Sequence, residues 1–321
     1  MAIRPNSTFG TNLRPELRDG MEQFDLEANQ NGFVGLRIAP ALEVDLPAGE
    51  YGVMELKELL QTHRTLRNSD GTYNRGDVEG GKDSYSTTEN GFEVRVDERD
   101  ARMFGLWWDA EMVAARKARH AVLANHNSRV IAAALGVANT NAAGTVWSNA
   151  SGATPIDNVR AAKIAMRNRC GIVPNVMVCE WEAFEHLRSC GQIVDRIKYW
   201  GGQDPNVSAI TPSALAQALD LEEIVISGAV MNTANQPAAA TIASMWDRTQ
   251  ALLFHRSMSR STKTPQFMRT FHWGADGSQI GGVFESYDDP TRRGQIIRNR
   301  METQEKVMYA SLGQRITGVL A

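Results

Sequence analysis

Residues Tyr85–Asp97 read YSTTENGFEVRVD. In the second half Phe92, Val94 and Val96 alternate with the charged Glu93 and Arg95. A period of two over this length predicts a half-buried strand. Asp97 then precedes Glu98 and Asp100, a capping carboxylate followed by acids suited to the positive first turn of a helix. Beyond it Met103, Leu106, Trp107, Ala110, Val113, Ala114, Ala118 and Ala121 hold one stripe. The spacing predicts a helix from Glu98 to Asn125, roughly 40 Å long at ~1.5 Å per residue. Val130–Leu135 either extends that helix or forms a separate apolar turn ending at Gly136.

Upstream of the quoted stretch the chain is poor in core-forming residues. A short helical pattern (Val53, Leu56, Leu59, Leu60) gives way to Arg67–Asn90, a polar run with Gly71, Gly76, Gly80 and Gly81. Together with the strand that follows, it reads as a long hairpin-like excursion. Ordering each residue costs on the order of 1–2 kcal/mol, and such a run buries too little of itself to offset that. Long loops of this kind are either disordered or ordered by something outside the domain, and a partner subunit is the natural candidate. The first forty-odd residues, broken by Pro5, Gly10, Pro15, Gly20 and Asn29–Gly32, read as an arm.

Downstream, Trp147–Trp200 is dense in architecture and empty of chemistry. Thr154 and Pro155 start a helix with Asp157 in its first turn. Ile156, Val159, Ala162 and Met166 recur at helical spacing until Gly171 and Pro174 stop it. Asn175–Cys179 reads as a buried strand, and Trp181, Phe184 and Leu187 as the inner stripe of a helix ending at Gly191. Thr211 and Pro212 start another helix, followed by a strand at Ile224–Ile226 and a loop at Asn232–Thr241. Strands are expected at Met245–His255, Phe267–Trp273, Ile280–Tyr287, Ile296–Arg300 and Lys306–Ser311. This order suggests an α+β fold rather than a βαβ repeat.

The chain has 321 residues, 42% apolar and 22% charged, with a formal net charge of −3. That charge argues against affinity built on neutralising nucleic-acid phosphates. Three cysteines cannot all pair, which suggests a reducing compartment. No stretch resembles a signal peptide or a membrane span, so a soluble, intracellularly made protein is expected.

Gly76, Gly81 and Lys82 approach a phosphate-binding loop, but Asp83 stands where Ser or Thr is needed, and no strand–loop–helix context surrounds them. Cys170, Cys179, His186 and Cys190 lack the close pairing of a zinc site. Neither a GxSxG elbow nor an HExxH motif occurs. Arg64, Arg67, Arg75 and Lys82 are ordinarily solvated, with intersubunit salt bridges the alternative. Trp107 and Trp108 cannot both face inward from one helix. Either the second is partly exposed or it meets a neighbouring subunit, where tryptophan is enriched.

The order of these parts resembles the major capsid protein of tailed phages, the Hong Kong 97-type fold. Tyr85–Val96 entering Asp97-Glu98 is similar to the return strand of that family's extended loop. Pro155–Asp157, Pro174-Asn175 and Val194–Tyr199 resemble its central domain. Asn232–Asn235, Met245-Trp246, Ala251–Phe254, Thr264-Pro265, Phe271–Trp273, Glu285–Pro290 and Gly313–Leu320 resemble its later strands and closing run.

The resemblance implies an arm (1–48), an extended loop (49–97), a peripheral domain with a long spine helix (98–150), an axial domain (151–273) and returning peripheral strands (274–321). It implies a structural protein rather than an enzyme, without cofactor or metal. Hexamers and pentamers of the chain would build an icosahedral shell around double-stranded DNA, made in the host cytoplasm and found in the virion. Its partners would be copies of itself, a separate scaffolding protein, a portal, possible decoration proteins and non-specifically contacted DNA, with no membrane. Arg64, Arg67, Arg75, Lys82, Tyr85 and Trp108 are the candidate intersubunit residues. Some members cross-link loop to neighbour through a Lys–Asn isopeptide bond, but neither Lys57 nor Lys82 matches a motif for it. An encapsulin, which encloses enzymes, shares the fold and is the first alternative. An intracellular hydrolase or nucleotide-dependent enzyme is the second.

Overall fold

The computed structural model describes residues 12–13, 32–54, 60–62, 65–67, 71–73, 75, 80–104, 109–201, 210–235, 239, 241–259, 261, 264–289 and 293–321. Two sheets organise them. In the first, β1 (Asn12–Leu13), β13 (Val283–Asp289), β14 (Gly294–Val307), β12 (Met268–Trp273) and β2 (Ala41–Val44) are neighbours in that order, and β5 (Thr88–Asp97) lies along β14. In the second the order is β6 (Thr140–Ala142), β15 (Gly313–Thr317), β11 (Gln250–Phe254), β7 (Val176–Glu180) and β8 (Glu223–Ser227).

Period two at Phe92–Val96 does yield a strand, β5, antiparallel to β14 from Asp97↔Gly294 to Thr88↔Thr303. After the short helix α1 (Gly35–Ile38), Asp97 caps α2 (Glu98–Phe104), its Oδ1 accepting from the Arg99 amide at 2.9 Å. The long helix begins later than its spacing suggests. Asp109 accepts from the Glu111 and Met112 amides and starts α3 (Ala110–Leu135), 26 residues and roughly 39 Å at ~1.5 Å per residue. Val130–Leu135 is its final segment rather than a separate turn.

The buried face of α3 recurs every fourth residue, at Ala114, Ala118, Val122, His126, Val130 and Ala134, flanked by Ala115, Asn127 and Ile131. Ala114 and Ala115 meet Val96, Phe284 and Ile297 of the first sheet. Val130, Ile131 and Ala134 join Trp246, Phe254 and Phe267. Met103 (57% exposed) and Val113 therefore do not belong to the stripe, because Asp109, extended at the N-cap, starts a helix of its own. Leu106, Trp107 and Trp108 lie outside the described residues.

The second sheet is covered by α4 (Pro155–Cys170), α5 (Trp181–Ser189), α6 (Gly191–Gly201) and α7 (Pro212–Ala218). Ile156, Val159, Ala162 and Met166 are buried, as their spacing implies. Thr154 holds the N-cap position without a side-chain bond, and Gln192 Oε1 instead accepts from the Ile156 amide at 2.9 Å. Gly171 closes α4 in the left-handed region (φ 75°), where a Cβ would be strained. Trp181 is exposed rather than inward, while Phe184 and Leu187 enter the core. The helix ends at Ser189, and Gly191 opens α6. Thr211 does cap α7, accepting from the Ala214 amide at 3.3 Å.

Two further expectations are corrected. Val53 belongs to strand β3 (Ala48–Met54) and not to a helix. Ile296–Arg300 and Lys306–Ser311 are not two strands: β14 runs unbroken for 14 residues and a 3-10 turn, Ala310–Leu312, follows it. Its polar middle stays in the sheet because the charges there are paired. β6 and β15 enter the second sheet while β12 lies in the first, since the final strand returns from one sheet to the other. Among the described residues no helix is long and apolar enough to cross a membrane.

These positions separate surface from core on the two successive helices α2 and α3. Ala115→Asp should destabilise the subunit by about 3 kcal/mol or more, since a charge enters a filled apolar site. Met103→Asp should change stability by no more than about 0.5 kcal/mol. Urea unfolding of the two variants measures the contrast, and equal losses would refute this assignment of the helix faces.

Candidate functional site

The excursion has a rooted base. β3 pairs antiparallel with β4 (Gly80–Ser86), from Ala48↔Ser86 to Met54↔Gly80. Tyr85 lies flat on Phe271 of β12, with centroids 4.7 Å apart and planes at 9°, and Tyr51 meets the same ring at 5.6 Å. Gly49 stands opposite Tyr85, and a Cβ there would come 2.8 Å from the tyrosine oxygen, so the close approach requires glycine.

Polar bonds complete the base. Tyr51 donates to Asp83 Oδ2 at 2.9 Å, and Lys306 of β14 donates to Asp83 Oδ1 and to the Ser84 carbonyl, each at 2.5 Å. The Lys306 bond above all holds Asp83 below the usual carboxylate range, helped by Tyr51 and opposed by burial. Burial first, and the bond to Asp83 second, push the Tyr51 phenol upward. The Ser86 amide donates to Gln304 Oε1 at 2.7 Å, and Thr87 Oγ1 donates to Glu302 Oε1 at 2.7 Å.

Further out the character changes. Leu60, Leu66 and Tyr73 are exposed apolar side chains. Arg67 donates to the Gly71 carbonyl at 2.8 Å and lies 4.8 Å from the Tyr73 centroid. Arg75 is exposed, and Lys82 is exposed with Glu50 Oε2 at 3.4 Å. Of the candidate residues, then, Arg67, Arg75 and Lys82 lie on the excursion's surface, whereas Tyr85 is engaged within its own chain. Arg64 and Trp108 lie outside the described residues.

Gly81 and Lys82 sit in β4 opposite Val53 and Gly52, so they form no phosphate cradle. Cys170, Cys179 and Cys190 are free and buried. Cys179 sits inside β7, and burial pushes its thiol up to about 12, with Glu180 adding to the shift. Among the described residues no group of three His, Cys, Asp or Glu could hold a metal ion.

Two charged clusters along β14 escaped the sequence reading. Glu285 accepts from Arg298 Nε and Arg300 Nε, each at 2.9 Å, and Arg300 reaches Asp276 Oδ2 at 2.5 Å. Arg129 of α3 holds Glu305 at 2.8 and 2.9 Å, Thr303 Oγ1 at 3.3 Å and Asn90 Oδ1 of β5 at 2.8 Å. Glu285 and Arg298 are direct cross-strand partners, a signal available only once the hairpin register is known.

His126 Nε2 lies 3.5 Å from Glu305 and 3.4 Å from Thr270 Oγ1. That geometry would suit an ion pair, but burial dominates and lowers the imidazole pKa to about 4, against the pull of Glu305. For Glu305 burial opposes ionisation, yet Arg129 and His126 hold it below the usual range.

No family model matches the sequence. The major capsid protein of Burkholderia phage BcepMu is 25% identical over 207 residues, spanning 62% of this chain and 64% of that protein. A solved phage-related protein from Bordetella bronchiseptica superposes with a TM-score of 0.68 at 18% identity, over 96% of this chain and 97% of the other. The capsid of cyanophage P-SCSP1u gives 0.59 at 10% identity, over 99% and 91%. The holo-SrpI encapsulin complex from Synechococcus elongatus gives 0.51 at 13% identity, over 88% of each chain. The chain has the Hong Kong 97-type capsid fold, in the α+β class.

The buried pair predicts acid sensitivity. A histidine whose folded pKa is depressed from 6.5 to about 4 contributes stability that is full above 6.5 and is lost as the pH falls toward 4. Glu305, depressed as well, contributes above its unfolded value and loses that contribution as the pH falls through its folded one. Subunit stability should therefore decline by roughly 3 kcal/mol between pH 6.5 and 4 through His126. In His126→Gln that slope should flatten, as thermal melts across the range would report. An unchanged slope would rule the histidine out.

Proposed function

We propose that this chain is the major capsid protein of a tailed phage. It assembles through hexamers and pentamers into an icosahedral shell enclosing double-stranded DNA, and its role is structural rather than catalytic. The observation that carries the reading is the contrast within the excursion: a base fixed by Tyr51, Asp83, Tyr85 and Lys306, and an outer part exposing Leu60, Leu66 and Tyr73. Exposed apolar side chains on a projecting hairpin suit a surface that is covered only when subunits meet. The capsid fold and the curated relative support the same conclusion.

In this reading the excursion lies on a neighbouring subunit, with Arg67, Arg75 and Lys82 at its charged margin and Arg64 and Trp108 as further contacts. Tyr85 serves the base instead. Obligate interfaces of this kind bury more than about 2,000 Å². A separate scaffolding protein guides assembly, and a portal and decoration proteins complete the particle. Contact with packaged DNA is non-specific, as suits a net charge of −3. The chain is made in the host cytoplasm and ends in the virion.

Replacing residues 58–76 with a short Gly-Ser linker keeps the β3–β4 base intact. The variant should unfold within a few degrees of the parent yet form no closed shells in electron micrographs. Unaltered shells would refute the role given to the outer excursion. Particles formed by the full chain should be empty or filled with nucleic acid, and a folded enzyme enclosed in them would instead favour the encapsulin reading.

A further inference from the structure

Helix α1 and the C-terminal half of α3 border a cavity of about 310 Å³. Phe33, Leu36 and Leu123 give it apolar walls, and Leu36, 41% exposed, stands at its open side. Polar groups line the rest. Asn127 is engaged at both ends: its Oδ1 accepts from the Val34 and Gly35 amides at 3.0 and 2.8 Å, and its Nδ2 lies 3.6 Å from Met245 Sδ. Arg37 pairs with Glu223 at the start of β8. His126 differs from both, because it is only 3% exposed and finds partners through Nε2 alone.

Those partners place the ring proton. Thr270 Oγ1 donates its own hydrogen to the Ala39 carbonyl at 3.0 Å, so toward His126 it accepts. Glu305, held ionised by Arg129, can also only accept. Nε2 therefore carries the hydrogen. Burial keeps the ring neutral near pH 7, which leaves Nδ1 with a lone pair. Nδ1 makes no hydrogen bond to any described residue. It faces Gly35, where a Cβ would come within 3.1 Å of it, so glycine at that position keeps the nitrogen open to the cavity.

We propose that this cavity binds a small aromatic molecule bearing one hydroxyl, of the phenol class. The hydroxyl donates to His126 Nδ1, and the ring lies among Phe33, Leu36 and Leu123. Size, ring and charge each support this. A cavity of about 150 Å³ already holds benzene, so this one has room for a substituted ring. An aromatic face attracts both the Phe33 ring and the Arg37 guanidinium. An anion is disfavoured, because the open polar atom is a lone pair with the Glu305 carboxylate on the far side of the imidazole. The site is independent of the capsid reading and stands or falls by its own binding chemistry.

Phenol, toluene and benzoate, titrated into the full chain and followed by calorimetry, compare one ring with a donor, without one, and with a charge. Phenol should saturate one site with a Kd on the order of 1 mM, as suits so small a ligand. Toluene and benzoate should bind at least about tenfold more weakly. In protein with isotopically labelled histidine, phenol should shift the His126 Nδ1 resonance and toluene should not. Gly35→Ala should lower phenol affinity by at least about tenfold, since a methyl group would cover Nδ1. If that variant fails to fold, the labelled parent protein still decides. No saturation by about 20 mM phenol, equal affinity for phenol and toluene, or an unmoved Nδ1 resonance would each overturn the proposal.

Discussion

Asn299, Arg300, Met301, Glu302 and Thr303 are consecutive residues of β14 and all are buried. A strand buried at every position is covered on both faces, yet this one is largely polar. The constraint is severe, because each buried charge needs a partner or carries a large desolvation cost. Glu285 and Asp276 supply it for Arg300, and Ser278 Oγ accepts from the Glu302 amide at 3.0 Å. Removing one partner of such a group costs about 3–5 kcal/mol, whereas replacing the whole set by apolar residues can be neutral. What the charges supply is therefore register rather than net stability. A slip of one residue would turn every side chain of β14 to the opposite face and break each pair at once.

That register propagates to the excursion. β5 and β4 are adjacent in the chain and both depend on β14, β5 through its full ladder and β4 through Lys306 and Gln304. Arg129 ties Glu305, Thr303 and Asn90 to the long helix, so strand, helix and excursion share one set of bonds. The base of a projecting hairpin is thus fixed by contacts distributed over three elements, and its direction is a property of the sheet.

How much of this can be read from the chain alone depends on the range of the forces involved. Periodicity is local, so β5, β7, α4 and α7 follow from apolar spacing and punctuation at Asp97, Gly171 and Thr211. Where a local rule meets a distant competitor it fails. Thr154 has the chemistry of a cap, but Gln192 takes that place, its Oε1 accepting from the Ile156 amide and its Nε2 donating to Asp157. Met103 falls on the apparent stripe, but the cap at Asp109 starts a new helical phase. Trp181 follows the amphipathic pattern and remains exposed. The pairs on β14 are invisible because Arg298 and Glu285 become neighbours only through a hairpin whose register no local pattern specifies.

The excursion divides into two parts. Its poverty in apolar residues suggests a segment that copies of the chain must order, but Tyr51, Tyr85, Asp83 and Lys306 order its base within one subunit. Beyond the β3–β4 ladder, Leu60, Leu66 and Tyr73 are exposed among exposed polar residues such as Gln61, Arg67 and Arg75. This division has a mechanical consequence. A hairpin free along its whole length would lose the entropy of ordering every residue at each new contact. One already fixed at its base restricts its tip before contact, so more of the weak apolar attraction remains to hold subunits together. Rigidity at the root and exposed apolar surface at the tip are then two parts of one device for association.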